Sequence, residues 1–307
     1  MAVRFTVLAS GSKGNASLIE AGPFGLLLDA GLGPRQLGAR LAAVGASWQA
    51  VKAVLLTHTH SDHWNDRTFR ELARRGVPVY CHGEHAQYLL ASSPSFHGLH
   101  SARLVRTYDG GPELHLPGGL RCRPLALRHD GGATFGFRFE RADDPACALG
   151  YVADLGCWDR RLAEALADVD VLALEFNHDV ALEYASGRQP RLIARVLGDE
   201  GHLSNAQATG LLREVLRLST PGRVRHVIQL HLSQQCNHPK LAAAAAWEVL
   251  AELADAPELH TAHQDRPLRP LQLDGVNGTE RPRPAPAPRP YRDRALVQRW
   301  LPGFEAR

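Results

Sequence analysis

Paired cysteines are missing from this sequence. The five present (Cys81, Cys122, Cys147, Cys157 and Cys236) are odd in number and form no C-x-x-C pair, which argues against a disulfide framework and a cysteine zinc site. Also missing is any apolar run near the roughly 18 residues that a membrane span needs, so no membrane partner is expected. The opening "MAVRFTVLASGSKGN" runs straight into a strand pattern, without the basic segment, apolar core and small-residue cleavage site of a secretory leader, and a cytoplasmic address is the expectation. Positive charge is scarce outside the last stretch. Residues 276–307 hold seven arginines against Glu280, Asp293 and Glu305, a surplus of +4, while the rest carries 28 basic and 29 acidic residues. The body therefore offers no global basic field, and a nucleic acid would have to be held by a local patch. No internal repeat is present.

Histidine, by contrast, is abundant, with 16 in 307 residues, many beside Asp, Asn or Ser where strands end. The densest group is "LLTHTHSDHW", Leu55 to Trp64. On an extended segment residues two apart point the same way, so His58 and His60 can face one ion together. A turn then brings Asp62 and His63 round, and the loop can serve two adjacent metals, a geometry that the helical H-E-x-x-H motif does not offer. One cluster cannot close two sites, and further candidates stand at other apolar exits: His129 after "PLAL", Asp154 after "LGYVA" and His231 after "HVIQL".

Short strands are expected at 3–8, 16–20 and 25–29, a helix from Pro34 to near Gly45, a buried strand at 53–57, and a helix from its N-cap Asn65 to Gly76. From Leu104 to Asp154 the pattern is β, with a further buried strand at 170–176. Helices are expected at 158–167, at 204–219, where Ser204 and Gln207 have capping-box spacing, and at 239–254, with a strand at 224–230 between the last two. Two regions follow: a catalytic domain over 1–275 and a Pro/Arg-rich tail over 276–307, whose alternating prolines favour an extended, unpacked chain.

"HTHSDH" with the later His129, Asp154 and His231 resembles the metallo-β-lactamase fold over about residues 3–265. More narrowly, "LASGSKGN", "LLLDAG", "YVADLG", "EFNHD", "GHLSN" and "LHLSQQCNHP" resemble the YycJ (WalJ) group of that superfamily. The resemblance implies an α/β (α+β) fold, the αββα sandwich of two packed mixed sheets flanked by helices, with metals at one sheet edge. It further implies that His58, His60 and His129 bind one ion and Asp62, His63 and His231 the other, with Asp154 bridging, and that Asp29 braces the motif loop. Glu175 and His202 resemble the Glu and His motifs of tRNA 3′-processing ribonucleases, so Asp62, Glu175 and His202 are the candidate catalytic residues. Asn177 and His178 are candidate neighbours of the pocket, whereas His82, His85, His97 and His100 match no motif and are read as structural or exposed. Trp64 departs from the family pattern, where a glycine turn is usual, and predicts a narrowed pocket mouth.

The chemistry expected is hydrolysis by a metal-bridging hydroxide between two divalent ions, Zn²⁺ by its imidazole-rich ligands, with Mn²⁺ or Fe as alternatives. A phosphodiesterase acting on the ends of single-stranded DNA or RNA leads. Its rivals are a hydrolase of small esters, lactones or cyclic phosphodiesters and a non-catalytic metal-binding regulator.

Overall fold

Strands form wherever the sequence offers a short apolar run, and their order decides what lies at their ends. The computed structural model describes residues 2–273; the Pro/Arg-rich segment after 275, and with it the proposed domain boundary, lies outside the described residues. The first half supplies β1 (Val3–Ala9), β2 (Ala16–Ala21), β3 (Phe24–Leu28), β4 (Val51–Leu55), β5 (Val79–His82) and β6 (Val105–Tyr108). Between them lie the helices α1 (Pro34–Ala43), α2 (Asp66–Arg75), α3 (Gly83–Ser92) and α4 (Pro94–Ser101). The second half supplies β7 (Leu114–Leu116), β8 (Leu120–Leu127), β9 (Thr134–Arg141), β10 (Ala148–Val152), β11 (Val171–Glu175), β12 (His226–Leu230) and β13 (Glu258–Thr261). Its helices are α5 (Arg160–Leu166), α6 (Val180–Ala185), α7 (Pro190–Leu197), α8 (Asn205–Leu218) and α9 (Pro239–Leu250), and β14 (Leu271–Leu273) returns to the first half.

Two seven-stranded mixed sheets result, in the orders β14-β1-β2-β3-β4-β5-β6 and β13-β12-β11-β10-β9-β8-β7. Their inner faces share one apolar core that includes Phe5, Leu26, Leu55, Phe137, Tyr151, Val171 and Ile228. Two further cores lie outside, one under α1 to α4 against the first sheet and one under α5, α8 and α9 against the second. This is the αββα sandwich. β3 and β4 are parallel, as are β10, β11, β12 and β13. Because β9 is antiparallel to both β8 and β10, β8 ends at the same edge as β10, β11 and β12. The exits that carry His129, Asp154, Glu175 and His231 are thereby gathered on one rim.

Capping fixes the helix starts nearest that rim. The Asn65 side chain accepts from the Arg67 and Thr68 amides, and Gly76 closes α2 with φ of 68°. The Ser204–Gln207 capping box forms as its spacing predicts. Helices α3, α4, α6 and α7 were not anticipated. Helix α3 is capped by the His82 side chain, a residue type outside the usual Ser/Thr/Asp/Asn signal, and α7 has no side-chain cap at all. Among the described residues no helix is long and apolar enough to cross a membrane.

Candidate metal centre and active site

The rim is assembled from loops that follow strands on both sheets. His58, His60, Asp62 and His63 follow β4, Asp29 follows β3, His129 follows β8, Asp154 follows β10, Glu175 ends β11 and His231 follows β12. Two of these residues, Asp29 (φ 59°) and His231 (φ 54°), hold the left-handed backbone that non-glycine residues adopt at a cost of about 1–3 kcal/mol. Such strain persists where the surroundings over-determine it, and here it turns side chains into the rim.

The ligating atoms of His58, His60 and His129 lie within 4.8 Å of one another, as do those of Asp62, His63 and His231. Asp154 joins the two groups, being equally close to His58 and His63 on one side and to His231 on the other. His60 Nδ1 is 3.2 Å from His129 Nε2, Asp62 Oδ2 is 3.3 Å from His231 Nε2, and His63 Nε2 is 3.5 Å from Asp62 Oδ2 and 3.2 Å from Asp154 Oδ2. Ligands about 2.0–2.1 Å from a tetrahedral ion stand about 3.3–3.4 Å apart, so these edges match a cation's coordination sphere.

Hydrogen bonds from outside orient the rings. His129 Nδ1 donates to the Gly201 carbonyl at 2.7 Å and His63 Nδ1 donates to Asp29 Oδ2 at 2.7 Å, so Nε2 of each faces the rim. Asp29 also accepts from the Thr57 amide at 2.9 Å and from the Thr57 hydroxyl. His58 Nε2 and Asp154 Oδ2 are buried and make no hydrogen bond. An orphaned buried polar group costs about 1–3 kcal/mol, more when charged, and a divalent cation between these atoms removes both deficits. The donor set of imidazoles and carboxylates fits such an ion.

The electrostatics agree. Burial, helped by the neighbouring imidazoles, pushes His58 well below its usual range, which keeps it neutral with a lone pair free. Burial also opposes charge on Asp154, but His231 and His63 overcome it and hold the carboxyl well below the usual carboxylate range.

Beside this cluster stands a dyad. His202 Nδ1 donates to Glu175 Oε1 at 2.7 Å, and Glu175 Oε2 accepts from the Leu155 and Leu203 amides at 3.1 and 3.0 Å. Glu175 is fully buried; burial pushes its carboxyl up, and the His202 imidazole overcomes this and holds it below the usual range. The His202 ring lies 4.8 Å from that of His129 and 5.2 Å from that of His231. With Nδ1 engaged, Nε2 is the nitrogen left to exchange a proton.

Several neighbours had no motif of their own. Asn15 Nδ2 donates to Asp62 Oδ2 at 3.0 Å and lies 3.0 Å from His63 Nε2, and the Ser10 hydroxyl accepts from the His231 amide at 2.8 Å. Both belong to the "LASGSKGN" stretch, which the sequence marks only as a whole phrase. Asp130 lies 3.4 Å from His60 Nε2 and is held by Arg195 of α7. Asn177 Nδ2 donates to the His231 carbonyl at 2.8 Å, whereas His178 is buried with both ring nitrogens unpartnered. His97 and His100 are exposed on α4, while His85 lines a cleft of about 320 Å³ beside His60, together with Thr59, Tyr88 and Asp130.

Trp64 corrects an expectation. Its indole donates to the Thr59 carbonyl at 2.9 Å and stacks on Phe69 at 5.7 Å, packing into the core beneath α2 instead of narrowing the mouth. The residue braces the motif loop from the side.

Gly31 braces it from below. A Cβ there would stand 1.8 Å from the Asp62 carbonyl oxygen, and the same oxygen accepts from the Asn15 amide at 2.7 Å. Gly31→Ala is expected to displace the loop, destabilise the fold by about 1–3 kcal/mol and weaken metal binding by about 10–100-fold. Urea unfolding and metal titration check this; unchanged affinity would show that the loop yields without moving its ligands.

A metal-dependent hydrolase of the metallo-β-lactamase fold is what this sandwich and its rim define. Residues 25–224 match the family model described as Beta-lactamase superfamily domain, and the chain belongs to that family. It is 29% identical over 259 residues to "Exodeoxyribonuclease WalJ" of Streptococcus pneumoniae, covering 81% of this chain and 88% of that protein. To "Exodeoxyribonuclease YycJ" of Bacillus anthracis it is 27% identical over 279 residues, covering 88% and 98%. Among solved structures, the metallo-β-lactamase fold protein YhfI of Bacillus subtilis aligns with a TM-score of 0.62 at 16% identity, over 87% of this chain and 99% of that one, a likeness of fold.

Proposed function

We propose that the chain is a dinuclear metal-dependent phosphodiesterase that removes nucleotides from single-stranded DNA ends, with His58, His60 and His129 at one ion, Asp62, His63 and His231 at the other, and Asp154 between them. Zinc is the metal that the imidazole-rich donor set favours. Divalent ions bound there supply an acidified water for attack and positive charge opposite the developing oxyanion. The observation that carries the reading is the dyad: His202, held by a fully buried Glu175 at 2.7 Å, stands ready to protonate an alkoxide leaving group, which phosphodiester cleavage requires. Asn15 holds the Asp62 carboxylate in place, and Asp29 fixes the tautomer of His63. Support for DNA comes from the two relatives named exodeoxyribonucleases.

A groove of about 670 Å³ at the starts of α1 and α2 adds support. It is lined by Arg35 and Arg67 beside Asp66, Gly33 and Asn65, and the two guanidinium groups suit a phosphate backbone. The rival reading, hydrolysis of small lactones or esters, draws on the near-neutral body outside the tail. One experiment separates them: metal-loaded protein is incubated with end-labelled single-stranded DNA, single-stranded RNA and a panel of lactones and thioesters. Stepwise shortening of the DNA is expected. Turnover confined to the lactones or thioesters would overturn the proposal.

A further inference from the structure

Another set of ligating side chains lies at the far end of the second sheet. β12 and β13 run parallel, with His226 opposite Glu258 and Ile228 opposite His260. Residues two apart on a strand share a face, so His226, Glu258 and His260 point to the same side of the sheet. His226 opens the strand whose other end delivers His231, and five residues at about 3.3 Å each separate the two by about 16 Å.

His226 Nδ1 stands 3.2 Å from His260 Nε2 and 3.5 Å from Glu258 Oε2, and His260 Nε2 stands 3.7 Å from the same oxygen. These edges resemble those of the hydrolytic rim and bracket the roughly 3.3–3.4 Å edge of a tetrahedral zinc site. A purely hydrogen-bonded cluster accounts for them poorly. Glu258 Oε1 is taken by Arg269, but Glu258 Oε2 is buried without a hydrogen bond although two imidazole nitrogens face it. Both imidazole side chains are more than nine-tenths buried.

We propose that His226, Glu258 and His260 form a separate site for a late divalent transition metal, zinc by its donor set, which ties β13 to β12. Three protein ligands leave the fourth position to water. β13 is the edge strand of its sheet, with β12 its neighbour there, so a shared ion holds an element that has no second strand to lean on. Two guanidinium groups lie near the cluster, each facing a carboxylate. Arg269 is two-thirds exposed and screened by solvent, and Arg225 Nε lies 3.9 Å from the buried Asp170 carboxylate.

The test compares full-length wild type with His260→Gln after zinc loading and dialysis against a zinc buffer. Elemental analysis is expected to find one zinc fewer per chain in the variant, whatever number the hydrolytic centre holds, with turnover unchanged. Zinc is also expected to raise the unfolding temperature of the variant less than that of wild type. Equal zinc content in the two proteins overturns the proposal. Should His260→Gln fail to fold, anomalous scattering at the zinc edge from wild-type crystals decides. A peak about 2.0–2.2 Å from the three ligand atoms is expected, and imidazoles hydrogen-bonded directly to each other with no peak between them overturn it.

Discussion

Asp154→Ala is expected to strip the rim of its metal and remove hydrolysis altogether. Asp154 is almost fully buried, with Oδ1 2.8 Å from His231 Nδ1 and Oδ2 3.2 Å from His63 Nε2, and it lies within ligand range of His58. Among the carboxylates of the described rim, Asp154 is the one whose oxygens lie within 4.8 Å of ligating atoms from both groups. Loss of an outer hydrogen-bonding partner costs about 10–100-fold in metal affinity, so on the proposed ligand set loss of Asp154 should exceed that range. Asp29→Asn provides the contrast, because Asp29 touches His63 and Thr57 but lies behind the ligands. It should stay within the smaller range. The metal-free protein responds too: His63 and His231 are held well above their usual range by the carboxylates around them, against their burial. Removing Asp154 leaves that positive charge less compensated, which for a buried pair costs about 3–5 kcal/mol. Circular dichroism therefore accompanies elemental analysis, so that lost metal is read on folded protein. A folded Asp154→Ala chain that retains two ions at wild-type affinity would remove the shared-ligand assignment.

Much of the rim is legible in sequence because its chemistry sits at strand exits. A ligand that follows an apolar run, as His58 follows β4 and His231 follows β12, carries two signals at once, the end of a buried strand and a residue type that burial there would otherwise penalise. Asn15 carries neither, and Ser10 and Thr57, which follow β1 and β4, carry only the first. An asparagine in a glycine-rich turn reads as a turn residue. Only the antiparallel β1–β2 pairing and the close approach of Gly31 to Asp62 bring Asn15 against the motif loop 47 residues later. Likewise, Trp64 reads as an obstacle at the pocket because its neighbours are ligands. Its place is set instead by Phe69, one helical turn into α2, which gives the indole a stacking partner away from the mouth. Helix α3 escaped for a related reason, since its capping box is built from His82 and His85 in a chain where histidine otherwise signals metal.

The largest effect expected without loss of metal is at His202. His202→Ala should lower kcat by about 10²–10⁴-fold on a substrate with a poor leaving group, the range of a positioned general acid. On the proposed general-acid role, the proton's route follows from these contacts. Glu175 Oε1 accepts from Nδ1 at 2.7 Å, Glu175 Oε2 is fixed by the Leu155 and Leu203 amides, and Nε2 is left to give its proton to the departing oxygen. An activated nitrophenyl phosphodiester leaves without protonation, so its rate should fall far less in the same variant. Glu175→Gln keeps the ring but loosens its orientation, and should show a weaker form of the same pattern. In the double variant the two losses should fall short of additivity, as for groups that act as a unit. The competing role is ligation, since Asp154, Glu175, His202 and His231 also lie within 4.8 Å of one another through their ligating atoms. That role predicts a lower metal content in His202→Ala. It also predicts equal losses on activated and unactivated substrates, because the metal serves both. Measuring metal content beside the two rates separates a proton donor from a ligand. Equal losses with full metal retention would assign His202 to neither role and leave the Glu175 pair as a buried brace between β11 and the loop before α8.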